Sequence, residues 1–402
     1  MIFKTHFISE LIDEISMGPF GSNIKVECFV DEGIPVLNGS NLEGYELKED
    51  SFRYVTEEKA DSLKKANAYR GDIVITHRGT LGQIVFIPQV SKYERYVISQ
   101  SQFRVRCNDK VLPEYMVYYF HTRIGQHKLL SNASQVGVPA LARPSTTFQK
   151  IDIDIPDIPT QRKIVAILQK IHDKIAVNTA INENLEKQAQ AIFKAWLVDF
   201  EPFGGVMPDD WKISNLLEIA DYLNGLAMQK YRPKECEVGL PVLKIKELRQ
   251  GFCDDNSELC SPSIKSDFII QNGDVIFSWS GSLLVDLWCG GKCGLNQHLF
   301  KVTSSTYDKW FYYVWTKYHL NRFIAIAADM ATTMGHIKRA ELEKSIVFIP
   351  NKDDYKEIGN LLKPLYDAII NNRVENQRLA ALRNTLLPKL MSGEIDVSQV
   401  QI

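Results

Sequence analysis

The 402-residue sequence has no apolar run approaching the 18 or more residues that a membrane-spanning helix needs. Its opening stretch, MIFKTHFISELIDEI, lacks a long apolar core followed by a small-residue cleavage site, so no secretory signal is expected. It also lacks a charge excess of either sign. Lys plus Arg number 47 and Asp plus Glu 49, a net charge of −2. That excludes a histone-like basic coat, although local basic faces remain open. With 45% hydrophobic and 24% charged residues, extended disorder is excluded too. The seven cysteines (Cys28, Cys107, Cys236, Cys253, Cys260, Cys289 and Cys293) are an odd set with no route to an oxidising compartment. They are expected to be buried reduced thiols, in a soluble cytoplasmic protein.

The common catalytic signatures are missing as well. There is no G-x-x-x-x-G-K-[ST], G-x-G-x-x-G, H-E-x-x-H or G-x-S-x-G, and no Asp-Pro-Pro-Tyr or Asn-Pro-Pro-Tyr. No catalytic residue is therefore assigned. Pro208–Asp209–Asp210–Trp211–Lys212 has the letters of a nuclease fragment but reads better as a turn followed by an aromatic anchor. Cys253, Cys260, Cys289, Cys293 and His298 could be drawn as a zinc site. Structural zinc favours paired tight knuckles, however, and only Cys289 and Cys293 have that spacing. No metal is expected.

What the sequence does contain is itself, twice. GIPVLNGSNL (33–42) matches GLPVLKIKEL (239–248), and RGDIVITHRGTLG (70–82) matches NGDVIFSWSGSLL (272–284). VISQSQFRV (97–105) faces CGLNQHLFKV (293–302), with Gln100 opposite Gln297 and Phe103 opposite Phe300. The offset shrinks through these front parts, as loops of unequal length require. From Pro156 and Pro350 onward it is constant. Each half thus has a variable front and a length-locked rear.

The rear parts read as long helices. Ile164, Leu168, Ile171, Ile175, Asn178, Asn182, Leu185, Ala189, Ile192 and Trp196 recur at steps of four and three. Ile358, Leu362, Leu365, Ile369, Asn372, Asn376, Leu379, Arg383, Leu386 and Leu390 repeat the stripe. A seam of about four heptads suits a coiled coil better than a helix packed only on its own domain. The asparagines at equivalent seam positions favour that choice, because a buried Asn costs stability but fixes register and partner. Equal helices related by a two-fold axis run antiparallel. Each would be roughly 55 to 60 Å long.

The front parts are β-rich and irregular. Short apolar runs (Pro35–Leu37, Ile73–Thr76, Ile84–Pro88, Phe103–Arg106, Val275–Phe277, Phe300–Thr303) are broken by Gly, Asn and Ser turns. Pro113–Leu130 and Tyr307–Ala327 carry aromatic stripes of helical length, expected to be core helices under a sheet. The expected class is α+β. The parts are 1–155, a long helix in 156–203, a second β-rich part in 204–349, and a second long helix with a tail in 350–402.

Polar loops recur at matching places. Thr76, His77, Arg78 and Thr80 face Ser278, Trp279, Ser280 and Ser282; Ser99, Gln100 and Gln102 face Asn296, Gln297 and His298. A third pair sets Ser134, Gln135 and Arg143 against Thr332, Thr333, His336 and Lys338. Arg suits guanine O6/N7, Gln and Asn suit adenine N6/N7, and Ser, Thr and backbone groups position phosphates. Any one such loop could be a solvated turn. A shared scaffold carrying different polar readers suits two domains reading two DNA sequences.

With these segments in view the chain resembles the DNA-specificity subunit of a type I restriction-modification system, along essentially its whole length. PDIPTQRKI (156–164) enters the first helix, IFKAWLVDFEP (192–202) leaves it, Pro208–Trp211 opens the second half, and NTLLPKLMSGEI (384–395) is a typical family ending. The resemblance implies two target recognition domains joined by two long antiparallel helices, and a non-catalytic reader of double-stranded DNA. It also implies two methyltransferase subunits carrying S-adenosylmethionine and restriction subunits carrying ATP, with no cofactor on this chain. The targeting subunit of another class of restriction-methylation enzyme, and a coiled-coil adaptor that binds only proteins, stay open beside it.

Overall fold

The computed structural model describes residues 2–19, 23–134, 137–329 and 336–401. It forms two units, Met1–His172 with Ala381–Ile402, and Asp173–Ala380.

In the first unit the strand Ile73–Thr76 lies inside a four-stranded antiparallel sheet ordered Ile12–Met17, Gln102–Cys107, Ile73–Thr76, Ile84–Phe86. Its sequence is apolar without alternation, as a strand covered on both faces requires. Ile73 and Ile75 face a core that includes the helix Pro113–Phe120. Val74 faces a second core with Ala68 and Tyr96 of another sheet. That sheet runs Arg53–Val55, Ile34–Val36, Arg95–Val97, Asn67–Tyr69, with a parallel pair at its centre.

The second unit repeats this plan. One sheet runs Asp221–Asn224, Leu299–Thr303, Val275–Ser278, Leu284–Leu287; the other runs Leu259–Cys260, Leu240–Leu243, Cys293–Leu295, Ile269–Ile270. Val275 and Phe277 face the helical core, and Ile276 the core between the sheets.

Each unit also has an antiparallel ribbon, Lys4–Phe7 with Asp152–Ile155 and Lys212–Asn215 with Ile346–Ile349. KTHF and KISN carry too little apolar alternation to announce strands; the long-range partner makes them so. The aromatic stripes are each two helices, not one: Pro113–Phe120 with Arg123–Leu130, and Lys309–Tyr318 with Leu320–Asp329. The first break comes where Thr122 caps a new helix, its hydroxyl accepting from the Gly125 amide at 3.0 Å.

The long helices span Ile158–Phe193 and Lys352–Met391. Asp157 accepts from the Thr160 amide (3.1 Å) and Asn351 from the Asp354 amide (2.9 Å), so an Asx side chain starts each. The indole of Trp211 donates to Asp354 (2.8 Å), which makes the Pro-Asp-Asp-Trp segment a turn with an anchor. The first helix ends in a π-helical turn, Lys194–Val198. That shift in register buries Leu197 and leaves the expected stripe residue Trp196 only half-buried.

Both helices contribute to both units. Ile164 and Leu168 join Leu387, Leu390 and Met391 in the first core; Ala189 and Phe193 join Ile358, Leu362 and Ile369 in the second. Within the second unit they run antiparallel with their asparagines matched. Asn178 Nδ2 donates to Asn376 Oδ1 (2.9 Å), and Asn372 Nδ2 donates to Asn182 Oδ1 (2.9 Å). Around these amides Ile369 is buried, and Ile175, Leu185, Leu365 and Leu379 are half-buried; Ile171, in the first unit, is buried. A slip by one heptad would set Asn178 against Ile369 or Arg383 and Asn182 against Leu365 or Leu379, so the matched amides set the register.

The thiols differ from expectation. All seven are free, but only Cys260, Cys289 and Cys293 are buried, and Cys236 is exposed because it sits in the turn-rich segment before Leu240. No group of three candidate metal ligands gathers among the described residues. No helix among them is long and apolar enough to cross a membrane.

Three imidazoles carry a pH dependence. Burial holds His77, His121 and His319 below the usual 6.5, outweighing hydrogen bonds to carbonyls that act the other way. The unfolded chain therefore takes up these protons first as pH falls. Their contribution to stability is full above about 6.5 and is lost as pH drops through the folded values. The thermal midpoint is expected to fall between pH 7.2 and 5.8, before most carboxylates titrate. A flat or rising midpoint by calorimetry would contradict this.

Candidate nucleic-acid interface

The twice-covered strand of each unit delivers a loop to its end, and two further loops meet it there. In the first unit the His77 amide donates to the Ser101 carbonyl (2.8 Å), Gly79 to Pro139 (2.9 Å), and Leu141 to the His77 carbonyl (2.9 Å). Residues 76–80, 99–102 and 139–143 thus form one cluster. The His77 ring donates from Nε2 to the Gln100 carbonyl at 3.1 Å.

The second unit closes the same way. Ile337 donates to the Trp279 carbonyl (2.9 Å), and Ser280 bridges His336 as Arg78 bridges Ala140. The side chains differ. Trp279 packs on Phe300 (5.6 Å between ring centres), lies edge-on to His336 (6.2 Å), and donates from its indole to Asn224 (3.1 Å). Ser280 Oγ meets His298 Nδ1 at 3.1 Å, and Gln297 Nε2 approaches His298 Nε2 at 3.3 Å. One cluster presents the guanidinium groups of Arg78 and Arg143, the other an aromatic and imidazole surface.

Each cluster rests on a glycine. A Cβ on Gly18 would lie 1.9 Å from the Ser99 carbonyl oxygen, and one on Gly225 would lie 2.2 Å from that of Asn296. Both glycines directly follow the first strand of their sheet, a signal present in the sequence and missed there.

The family model for the type I restriction modification DNA specificity domain matches residues 24–187 and again 208–381. The chain belongs to that family. It is 25% identical to the type I restriction enzyme MjaIX specificity subunit of Methanocaldococcus jannaschii, over 97% of this chain and 93% of that one. It is 21% identical to the HindI specificity subunit of Haemophilus influenzae, over 81% and 87%. A crystal structure of a type I restriction-modification S subunit from M. genitalium has the same fold, with a TM-score of 0.60, 13% identity, and 97% and 96% covered. This specificity subunit is a recognition component rather than an enzyme.

Exposure sorts the sequence-expected readers of the specificity subunit. Arg78, Thr80, Gln100, Ser134, Arg143, Ser282, His336 and Lys338 are exposed, and His77, Ser99, Trp279, Gln297 and His298 are half-buried. Gln135, Thr332 and Thr333 lie outside the described residues. Thr76, Gln102, Ser278, Ser280 and Asn296, expected among the DNA-binding residues, are instead buried. Gln102 accepts from the Ser99 amide (2.9 Å) and donates to the Asn38 carbonyl (3.3 Å). Thr76 donates to Gln83 (3.0 Å), and Ser278 to the Ser282 carbonyl (2.9 Å). Asn296 accepts from the His298 amide (3.3 Å). Polar groups engaged in this way cannot reach a base edge without leaving a buried partner unsatisfied. They hold the loops in place from within. Arg143 itself has left-handed backbone (φ 47°), a strained conformation of the kind that collects at functional positions.

Proposed function

We propose that the two loop clusters read the two halves of a split double-stranded DNA target, each through its own exposed side chains. The supporting observation is the same three-loop cluster, built twice on one scaffold with Arg78 in one and Trp279, His298 and His336 in the other. In this reading the chain works in the cytoplasm as the address-giving part of a complex. Two methyltransferase subunits supply S-adenosylmethionine and adenine methylation, and restriction subunits supply ATP hydrolysis. Phosphate grip is shared with those partners, so a near-neutral chain suffices.

The test is genome-wide mapping of methylated adenines in cells carrying parental or altered chains. Arg78→Ala is expected to relax the first half-sequence only, at a cost of about 1 to 3 kcal/mol if it makes a bidentate base contact. Gln102→Ala, by contrast, should weaken recognition of that half without changing its preferred bases, since its amide holds the loop. Methylation unchanged in sequence and extent on deleting the chain would overturn the reading.

A further inference from the structure

A recess of about 680 Å³ opens beside the first loop cluster, lined by Asn23, Lys64, Lys65, His77, Arg78 and Gln100 among others. No Asp or Glu lines it among the described residues. Lys64, Lys65 and Arg78 are exposed, and none has a carboxylate partner among those residues. Three exposed cations around one opening with no carboxylate in its described lining favour an anion there.

The turn that carries the lysines is held rather than loose. Lys64 has left-handed backbone, φ 45°, unusual for a residue with a Cβ. The Asn67 side chain donates from Nδ2 to its carbonyl (2.7 Å), and Arg104 Nε donates to the carbonyl of Lys65 (3.1 Å). Arg104 is in turn fixed beneath the turn by Asp72 (3.2 Å) and Glu14 (2.8 Å). Strain kept in place by part-buried hydrogen bonds and a buried ion pair beneath them points to a position whose geometry is used.

The repeat supplies an internal comparison. The matching turn of the second unit, Ser266–Phe268, also precedes a strand, and Lys301 donates to the Ile269 carbonyl while pairing with Asp274 (3.0 Å). At the positions of Lys64 and Lys65 it has Ser266 and Asp267, with one lysine, Lys265, at its start. The scaffold is kept and the charge is not.

We propose that the Lys64–Lys65 turn is a DNA-phosphate clamp specific to the first half-site, without counterpart in the second. It positions the duplex against Arg78 and Gln100 and reads no base itself. This rests on the DNA-reading function proposed above. Each phosphate neutralised contributes roughly 0.9 to the slope of log affinity against log salt. The experiment measures that slope for the full chain assembled with its methyltransferase subunits, on DNA bearing the target. Lys64→Gln with Lys65→Gln keeps the backbone hydrogen bonds and should reduce the slope by roughly one to two, with the base preference of the first half unchanged. Lys64→Arg with Lys65→Arg should keep it. Ser266→Lys with Asp267→Lys should steepen it. A parental slope in the double Gln variant, or a changed base preference, would overturn the clamp; no steepening in the second-turn variant would overturn the equivalence of the turns. If the parental complex itself shows no sequence preference, the DNA-reading function fails instead.

Discussion

Asp72→Ala is expected to destabilise the first unit by about 3 to 5 kcal/mol, the range for removing one partner of a buried ion pair. The Asp72 side chain is fully buried and holds Arg104 (3.2 Å), Arg106 (2.8 Å) and the Tyr69 amide (2.9 Å). Arg104 is only 4% exposed, so without Asp72 it would keep one carboxylate, Glu14, for a charge removed from water. Amide hydrogen exchange should accelerate at Val74 and Val105 while Ile276 and Val302 of the other unit keep their rates. Unchanged protection at Val74 would sink the prediction. The matching pair, Asp274 with Lys301, is 23% and 16% exposed, and solvent screening makes its loss milder.

Gly18→Ala and Gly225→Ala should each abolish reading of one half-target while leaving the other intact. The added Cβ would meet a backbone carbonyl, of Ser99 or Asn296, well inside van der Waals distance, so the reader loop must move. A well-placed bidentate pairing with a base is worth about 1 to 3 kcal/mol, and displacing a whole loop removes more than one. Gly79→Ala is the control. It has φ 91° but nothing within 4 Å of a new Cβ, so the strain is local, about 1 kcal/mol. Binding measured on targets altered in one half at a time would separate the cases. Equal losses from Gly18→Ala and Gly79→Ala would show that the close approach does not position the reader.

Much of this was legible in the residues. The matched RGDIVITHRG and NGDVIFSWSG segments mark the central strand and its loop in both units, and the Asn178/Asn182 and Asn372/Asn376 pairs mark where the helices meet. Which polar loop residues turn inward was not legible. Gln100 and Gln102 lie only two apart, yet the bonds of the Gln102 side chain to the Ser99 amide and the Asn38 carbonyl in the folded chain leave that one buried and the other exposed. The short ribbons were hidden for a related reason, since Lys4–Phe7 becomes a strand through a partner nearly 150 residues away. Nothing in the sequence sets Lys64 and Lys65 apart from other lysines; the fold puts them with Arg78 around one recess.

The sharing of each long helix between two cores has a consequence for biosynthesis. Ile164 and Leu168 are covered by Leu387, Leu390 and Met391, which are translated after all of Asp173–Ala380. At about 5 to 20 residues per second the first unit waits roughly 10 to 40 s for its missing wall. During that interval its apolar helix face is open to chaperones or to another nascent chain. A chain cut between the halves would not yield a complete first reader, because its last structural piece is encoded after the whole of Asp173–Ala380.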